Sequence, residues 1–216
     1  MDIHLVTPIH DPPGRRRGKG AAVRDPDRRE RILDAAADLM ARHGYQGVNL
    51  TDIGSAAGIV GSGVYRHFDS KNAILVELLD RVVDRLLADA ETGLRSESDP
   101  RATLVALVAG QVRFTIDERT LCQVYLQEAR GLPDADLRRL RWKQRHYVDL
   151  WLDVLGAVRP ELAPQQAQVL VHAAISSIHS ILRHRSGLEA PDVAALLQDT
   201  AVRILGLEPG PTPEQP

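Results

Sequence analysis

Three short helix-forming stretches, separated by glycine turns between residues 28 and 71, constrain the fold of this chain more than any other feature. The first stretch ends at Gly44 and carries one apolar face at helical spacing, formed by Ile32, Leu33, Ala36, Leu39 and Met40. Two shorter stretches, at about 52–57 and about 61–67, lie on either side of Gly58. This layout is typical of a helix-turn-helix domain, which places its last short helix in the DNA major groove.

Polar residues stand where these helices are predicted to begin. Asp25 is expected to cap the first helix, Thr51 the second and Ser70 a long fourth helix, because their side-chain oxygens can accept hydrogen bonds from free backbone N–H groups. Val64, in the third helix, is expected to point inward against Ile53 and so fix that helix on the domain.

The rest of the chain keeps the helical period, and no run alternates with period two for long enough to form a strand. Prolines, glycines and polar breaks divide it into further helices, at about 71–93, 100–117, 119–130, 134–156, 165–185 and 192–205. The prediction is an all-α protein of about nine helices. Its N-terminal part is a helix-turn-helix domain, and its C-terminal part is a second helical domain.

Composition excludes several classes of protein. No apolar run approaches the roughly 20 residues needed to cross a bilayer, and the N-terminus lacks the pattern of a secretory signal. Cys122 is the single cysteine, so neither an intramolecular disulfide nor a cysteine-rich zinc site is expected. No nucleophile–base pair, carboxylate pair or metal-ligand spacing stands out. We therefore expect a cytoplasmic protein that is not an enzyme, contacts no membrane and holds no metal or cofactor.

The helix-turn-helix segment resembles the DNA-binding domain of the tetracycline-repressor (TetR) family. The resemblance rests on four motifs: Thr51-Asp52-Ile53-Gly54, Ala56-Ala57-Gly58-Ile59, Val64-Tyr65-Arg66-His67-Phe68 and Ser70-Lys71. It implies four regions: a disordered basic arm at 1–24, a DNA-binding domain at 25–72, a ligand-binding and dimerisation domain at 73–207, and a flexible tail at 208–216.

DNA contacts are expected mainly from the third helix and from the starts of its neighbours. Small residues at the start of the third helix permit close approach to base edges, and polar residues at its end can reach phosphates. Helix N-termini favour phosphate as well. The predicted DNA-binding residues are Arg28, Thr51, Gly61, Ser62, Gly63, Tyr65, Arg66, His67 and Lys71.

Two features depart from the family pattern. Val60 stands where a capping Ser or Thr is common, and Gly61 and Gly63 each weaken a helix by roughly 1 kcal/mol relative to Ala. The third helix is therefore expected to form loosely and to tighten on DNA. On this view, replacing Gly63 with Ala should increase its protection from hydrogen exchange.

The resemblance also implies a homodimer that binds palindromic half-sites in double-stranded DNA. The segment Val169–Leu182 is apolar or small almost all round, which suits a helix with the core on one side and a second copy on the other. The predicted interface residues lie there and on the last helix: Val171, Ile175, Ile178, His179, Leu182, Leu197 and Ile204.

A pocket for a small hydrophobic ligand is expected among the helices of the C-terminal domain. An acyl-CoA, another acyl compound or a planar lipophilic molecule would each suit it. The predicted lining residues are Leu107, Gln111, Phe114, Tyr125, Trp142, Arg145, His172 and Ser176. The function expected from the resemblance is a repressor released from its operator by this ligand. The alternative is a DNA-binding regulator of the same fold with no small-molecule inducer.

Overall fold

The computed structural model describes residues 26–59, 61–96 and 99–207, and it confirms the all-α prediction. These residues form eight α-helices and three short 3-10 helices, and none of them lies in a strand. The α-helices are α1 (Pro26–His43), α2 (Leu50–Ala56), α3 (Lys71–Ser96), α4 (Pro100–Asp117), α5 (Arg119–Glu128), α6 (Asp134–Val158), α7 (Pro164–His179) and α8 (Ala190–Ile204). No helix in the described part of the chain is long and apolar enough to span a bilayer.

The helix starts follow the predicted chemistry with one correction. Ser70 Oγ accepts a hydrogen bond from the backbone N–H of Ala73 (3.1 Å) at the start of α3, as predicted. The prediction that Thr51 caps the second helix is wrong, because α2 begins at Leu50 and Asn49 is its N-cap. Asp25 lies outside the described residues.

The third predicted helix is a 3-10 helix, Gly61–Arg66, which we call the recognition segment. The tighter 3-10 winding suits a short stretch, and its glycines offer little preference for an α-helix. The fourth predicted helix is therefore α3, and it extends to Ser96, slightly beyond the expected end.

One long predicted helix is divided in two. The segment expected to run to Arg185 ends as α7 at His179 and continues as a 3-10 helix, Ser180–Arg183. Ile181 and Leu182 in that 3-10 helix are buried, so the apolar pattern continues across the change of winding. Periodicity alone did not distinguish the two conformations because both put apolar residues on the inner face.

The helices surround two main clusters of buried apolar side chains. The first core lies between α1, α2, the recognition segment and the first part of α3, and it also includes Val124, Leu132 and Leu140 from the C-terminal half. The second core lies between α4, α6, α7 and α8 around the fully buried Trp151. The DNA-binding domain predicted at 25–72 therefore shares its core with helices beyond it.

Candidate DNA-binding surface and ligand cavity

A reciprocal capping box fixes the start of α2. The Asn49 side chain accepts a hydrogen bond from the backbone N–H of Asp52 (2.9 Å), and the Asp52 carboxylate accepts one from the backbone N–H of Asn49 (3.1 Å). This box satisfies two N–H groups that the first helical turn leaves free. Thr51 is exposed beside the box, at the N-terminal end of α2.

The recognition segment packs closely on α2 through a glycine. A Cβ atom at Gly54 would lie 3.0 Å from Cγ2 of Val64 and 3.1 Å from the carbonyl oxygen of Ile59. Val64 is 1% exposed, as expected for the residue that fixes the segment on the domain. Between the two elements Gly58 adopts φ +68°, a left-handed conformation that favours glycine. The sequence motif therefore encodes a tight turn and a close contact.

Most of the predicted DNA-binding side chains are exposed. Tyr65 is 59% exposed, Arg66 and Arg28 are also exposed, and His67 is half-buried. An exposed tyrosine and an exposed guanidinium at the end of the recognition segment can reach phosphate oxygens. Gly61 is the first residue of the recognition segment, and the side chain of Ser62 lies outside the described part of the structure.

Lys71 is the first residue of α3, as expected, and its side chain contacts the turn between α1 and α2. Its ammonium donates hydrogen bonds to the carbonyl oxygens of Tyr45 (2.7 Å) and Val48 (2.6 Å), and it lies 4.2 Å from the centre of the Tyr45 ring. The ammonium thus holds the turn between α1 and α2. A phosphate contact through the backbone N–H groups at the start of α3 stays a prediction.

An ion-pair cluster that the sequence analysis did not single out holds α1 against α3. The Arg29 guanidinium pairs with the Glu77 carboxylate and lies 4.8 Å from the centre of the buried Phe68 ring. One turn along α3, Arg81 pairs with both Glu77 (3.1 Å) and Glu30 (2.6 Å). These ion pairs lie side by side between α1 and α3. Of the residues named in this cluster, Phe68 is the one that belongs to the TetR-like sequence motifs.

An apolar cavity of about 80 Å³ lies in the C-terminal half. Three of the predicted ligand-binding residues line it: Gln111, Tyr125 and His172. The other lining residues come from five elements and are mostly apolar: Val82, Val83, Leu86, Cys122, Leu126, Gln144, Tyr147, Val148, Ile175, His179 and Leu182.

A buried polar network forms one side of this cavity. The Tyr147 hydroxyl donates a hydrogen bond to Oε1 of Gln111 (2.6 Å), and Nε2 of Gln111 lies 3.3 Å from Nε2 of His179. Gln111 is 2% exposed, so its amide depends on these partners and on Thr115 (3.2 Å). Burial, together with the nearby charge of Arg183, lowers the pKa of His179 to about 4, so the imidazole is neutral at pH 7.

Five predicted ligand-binding residues do not line the cavity. Trp142 is 62% exposed and stacks on His146, while Arg145 and Ser176 are also exposed. Phe114 is buried in a small cluster with Val82, Cys122 and Leu182, which line the cavity, and Leu107 is buried in the second core. The aromatic residues were predicted to bind ligand because of their size and chemistry. Their positions around each helix decide which of them face the cavity.

The predicted dimer-interface residues divide in a similar way. Val171 and Ile178 are fully buried within one chain, so these two pack inward and are corrected to core residues. His179, Ile175 and the buried Leu182 line the cavity. Leu197 and Ile204 are only partly buried against the second core. The large apolar side chains exposed on α7 and α8 are Val169 (67%), at the start of the segment predicted to meet a second copy, and Leu196 (58%) on the last helix.

Comparison with known proteins identifies both halves of the chain. Residues 32–78 match the bacterial regulatory proteins of the tetR family, and residues 97–204 match a tetracyclin repressor-like C-terminal domain. The HTH-type transcriptional repressor KstR2 of Rhodococcus jostii (strain RHA1) is 33% identical over 131 residues, which are 60% of this chain and 64% of that protein. The chain thus aligns with somewhat less than two thirds of that relative's length.

Solved structures have the same architecture. A TetR-family transcriptional regulator from Bordetella parapertussis 12822 superposes with a TM-score of 0.75 at 27% identity, over 82% of this chain and 93% of that one. The structure of AibR in complex with isovaleryl coenzyme A and operator DNA superposes with a TM-score of 0.69 at 17% identity, over 80% and 97% of the two chains. The chain therefore belongs to the TetR family of bacterial regulatory proteins, a family of DNA-binding regulators and not of enzymes.

Proposed function

We propose that this protein is a transcriptional repressor that binds a palindromic operator as a homodimer and leaves it when a small, largely apolar ligand enters the cavity. The observation that carries the proposal is the position of α3 and α5. Each of these helices contributes side chains to the cavity wall and to the first core, which supports the helix-turn-helix. A ligand in the cavity therefore acts directly on helices that support the DNA-binding elements.

The α3 helix connects the two sites along its length. Val82, Val83 and Leu86 line the cavity, and Val83 also belongs to the first core. One turn earlier Leu78 and Leu79 are buried in that core beside α1. Because α3 begins directly after the recognition segment, a ligand that displaces the middle of α3 also displaces its DNA-proximal end.

The α5 helix separates the cavity from the DNA-binding domain. Cys122 and Tyr125 face the cavity, whereas Val124 is fully buried in the first core on another side of the helix. The α1 helix packs directly on α5. Outward movement of α5 would therefore shift α1, which packs on it. In a dimer this shift would change the distance between the two recognition segments.

The cavity wall suits an uncharged ligand group. None of its described lining residues carries a carboxylate, a guanidinium or an ammonium group. Burial raises the pKa of the Cys122 thiol to about 12, so the thiol is neutral at pH 7, as is His179. Polar side chains interrupt this mostly apolar wall: Gln111, Gln144, Tyr125, Tyr147, His172 and His179. The Gln111 amide N–H groups already face Thr115 and His179, so a ligand's carbonyl oxygen would take its hydrogen bond from another donor such as Gln144 or Tyr125. A short apolar group with one carbonyl oxygen has the matching chemistry.

The dimer is proposed on α7 and α8, which pack against each other and leave apolar side chains in solvent. Two such helices from each copy would form a four-helix interface. Val169 and Leu196 would be covered there, while Val171 and Ile178 would hold α7 on its own core. A helix-turn-helix protein gains affinity from this arrangement because two half-sites one helical turn apart are engaged together.

Native mass spectrometry of the gently purified protein, followed by operator titrations, tests the proposal. We expect a dimer, with the mass of any retained compound added to it. The operator is first selected from random duplexes, and its affinity is then measured with and without the retained compound or members of a metabolite library. Ligand affinity is also measured for the free protein and for the protein on DNA. The ligand must weaken DNA binding, and DNA must weaken ligand binding, by the same factor, typically about 5–150-fold. Equal ligand affinities on and off DNA would contradict the proposal.

The alternative is a regulator of this fold that responds to no small molecule. The size of the cavity favours it, because about 80 Å³ is well below the roughly 300 Å³ at which drug-sized ligand pockets begin. A dimer that binds its operator, carries no added mass and keeps the same operator affinity with every compound would support this alternative.

A further inference from the structure

An open groove of about 240 Å³ adjoins the cavity. The two spaces share three lining residues, Tyr125, Leu126 and Gln144. Leu126 and Gln144 are exposed and Tyr125 is half-buried. The cavity and the groove therefore meet at these three side chains, and two of the three are exposed to solvent.

The groove is positively charged. Arg130 projects from the 3-10 turn after α5 and Arg141 from α6; both are exposed, and no carboxylate occurs among the residues that line the groove. Two other cations of α6 are paired: Arg139 with Asp80 (2.6 Å), and Lys143 with Asp80 (3.0 Å) and with Asp84. In the described part of the chain no ion pair is found for Arg130 or Arg141.

We infer that the groove holds the phosphate-bearing end of the ligand whose apolar end occupies the cavity, and that this ligand is an acyl thioester of coenzyme A. The inference rests on the proposed function and assigns the class of inducer. The apolar space is the smaller of the two and admits a short acyl group. The larger, open and cationic space suits a bulky anionic end, because the guanidinium fork matches phosphate oxygens in two parallel hydrogen bonds.

The charge order along the two spaces distinguishes this ligand from a free acid. The wall around Gln111 and His179 is uncharged, and the two cations belong to the groove alone. A short free acid would place its carboxylate directly beside the apolar group, within the uncharged cavity, where desolvation of the charge is costly. A thioester places a neutral carbonyl there and its phosphates farther out.

Isothermal titration with matched probes tests the assignment. The probes are acetyl-, isovaleryl- and octanoyl-CoA, the corresponding N-acetylcysteamine thioesters, which keep the acyl thioester and lack the phosphates, and the free acids. We expect one CoA thioester to bind at least about 10-fold more tightly than its truncated partner, because each charged hydrogen bond contributes roughly the equivalent of a 10-fold change in affinity or more. Its affinity should also fall with added salt.

The variant Arg130→Gln/Arg141→Gln should lose roughly 10- to 100-fold in affinity for that CoA thioester and keep its affinity for the truncated thioester. The matched control is Arg113→Gln/Arg185→Gln, which removes two exposed guanidinium groups that line neither space. It should bind both probes like the wild type. Unchanged operator affinity without ligand shows that each variant is folded.

The remaining outcomes separate this inference from the proposed function. Equal binding of the CoA thioester by the wild type and the Arg130/Arg141 variant would overturn the groove assignment. If no CoA thioester binds but another apolar compound releases the operator, the inference is wrong and the proposed function stands. If none of the probes and no library compound changes operator affinity, both are wrong.

Discussion

The Glu128 carboxylate, at the end of α5, accepts a hydrogen bond from the backbone N–H of Tyr45 at 2.9 Å. Tyr45 lies in the turn between α1 and α2, next to Gly44, which has φ +69°. The same turn is held from the other side, because Lys71 donates to the Tyr45 carbonyl oxygen. The helix that forms part of the cavity wall is thus bonded directly to the turn that sets the position of α2.

Replacing Glu128 with Ala should loosen this turn. The substitution leaves the partly buried N–H of Tyr45 without its acceptor, which costs about 1 kcal/mol of stability. We expect faster hydrogen exchange at the Tyr45 amide and a smaller effect of inducer on operator affinity. Glu128→Gln keeps an acceptor oxygen at the same position and should retain slow exchange. Equal Tyr45 exchange in wild type and Glu128→Ala would contradict this role.

Lys71 should contribute mainly to stability. Lys71→Met keeps most of the apolar stem but removes the ammonium that bonds two carbonyl oxygens. We expect a loss of about 1–3 kcal/mol in the free energy of unfolding, measured by urea denaturation. Lys71→Arg, which can still donate to both oxygens, should lose less. A Lys71→Met protein of wild-type stability with weakened DNA binding would instead support the phosphate contact first suggested by the motif.

Arg66 should show the opposite behaviour. Its side chain is exposed at the end of the recognition segment, so Arg66→Gln should leave the free energy of unfolding within about 0.5 kcal/mol of the wild type. Operator affinity should fall across all sequences, and the slope of log affinity against log salt should shrink by about 1 per subunit if the contact is to phosphate. An unchanged salt slope with altered base preference would mean that Arg66 reads a base edge.

The sequence predicted the helices well because their apolar faces, glycine stops and proline breaks are local signals. Thr51 was assigned as a cap because its motif suggested it, but Asn49 and Asp52 satisfy each other at a spacing of three residues, and that spacing is visible in the sequence. Trp142 and Val171 were misplaced for a different reason. Which face of α6 or α7 meets the cavity depends on packing between helices distant in sequence. Periodicity shows which residues share a face of a helix, but not which other helix that face packs against.

Close packing against Ile59 leaves no room for a side chain at Gly63. A Cβ atom there would lie 2.5 Å from Cγ2 of Ile59, which is only 8% exposed. Gly63→Ala should therefore destabilise the protein by about 1–3 kcal/mol and weaken operator binding. This replaces the expectation that the substitution would simply firm the helix and increase its protection from hydrogen exchange.

Two further variants isolate the clash at Gly63. Gly156→Ala adds a methyl group to α6 where nothing lies within 4 Å, so it should raise stability by roughly 0.5–1 kcal/mol. Adding Ile59→Leu, which lacks Cγ2, to Gly63→Ala should recover part of the lost stability. If Gly63→Ala raised the melting temperature as Gly156→Ala does, the contact with Ile59 would not limit this position.

His179 should make the protein less stable in mild acid. Burial lowers the pKa of its imidazole to about 4 in the folded protein, against an ordinary value near 6.5. Between these two values the unfolded chain binds a proton that the folded chain does not, so stability falls as pH drops from about 6.5 toward 4 and the loss levels off below that. At pH 4.5 the effect is roughly 2–3 kcal/mol, and at pH 7.5 it is close to zero.

Urea denaturation of wild type and His179→Gln at these two pH values, at one protein concentration, isolates the contribution of this residue because the other titrating groups are common to both. The wild type should lose stability relative to the variant in acid, and parallel pH profiles would show that His179 is not buried as a neutral imidazole beside Gln111.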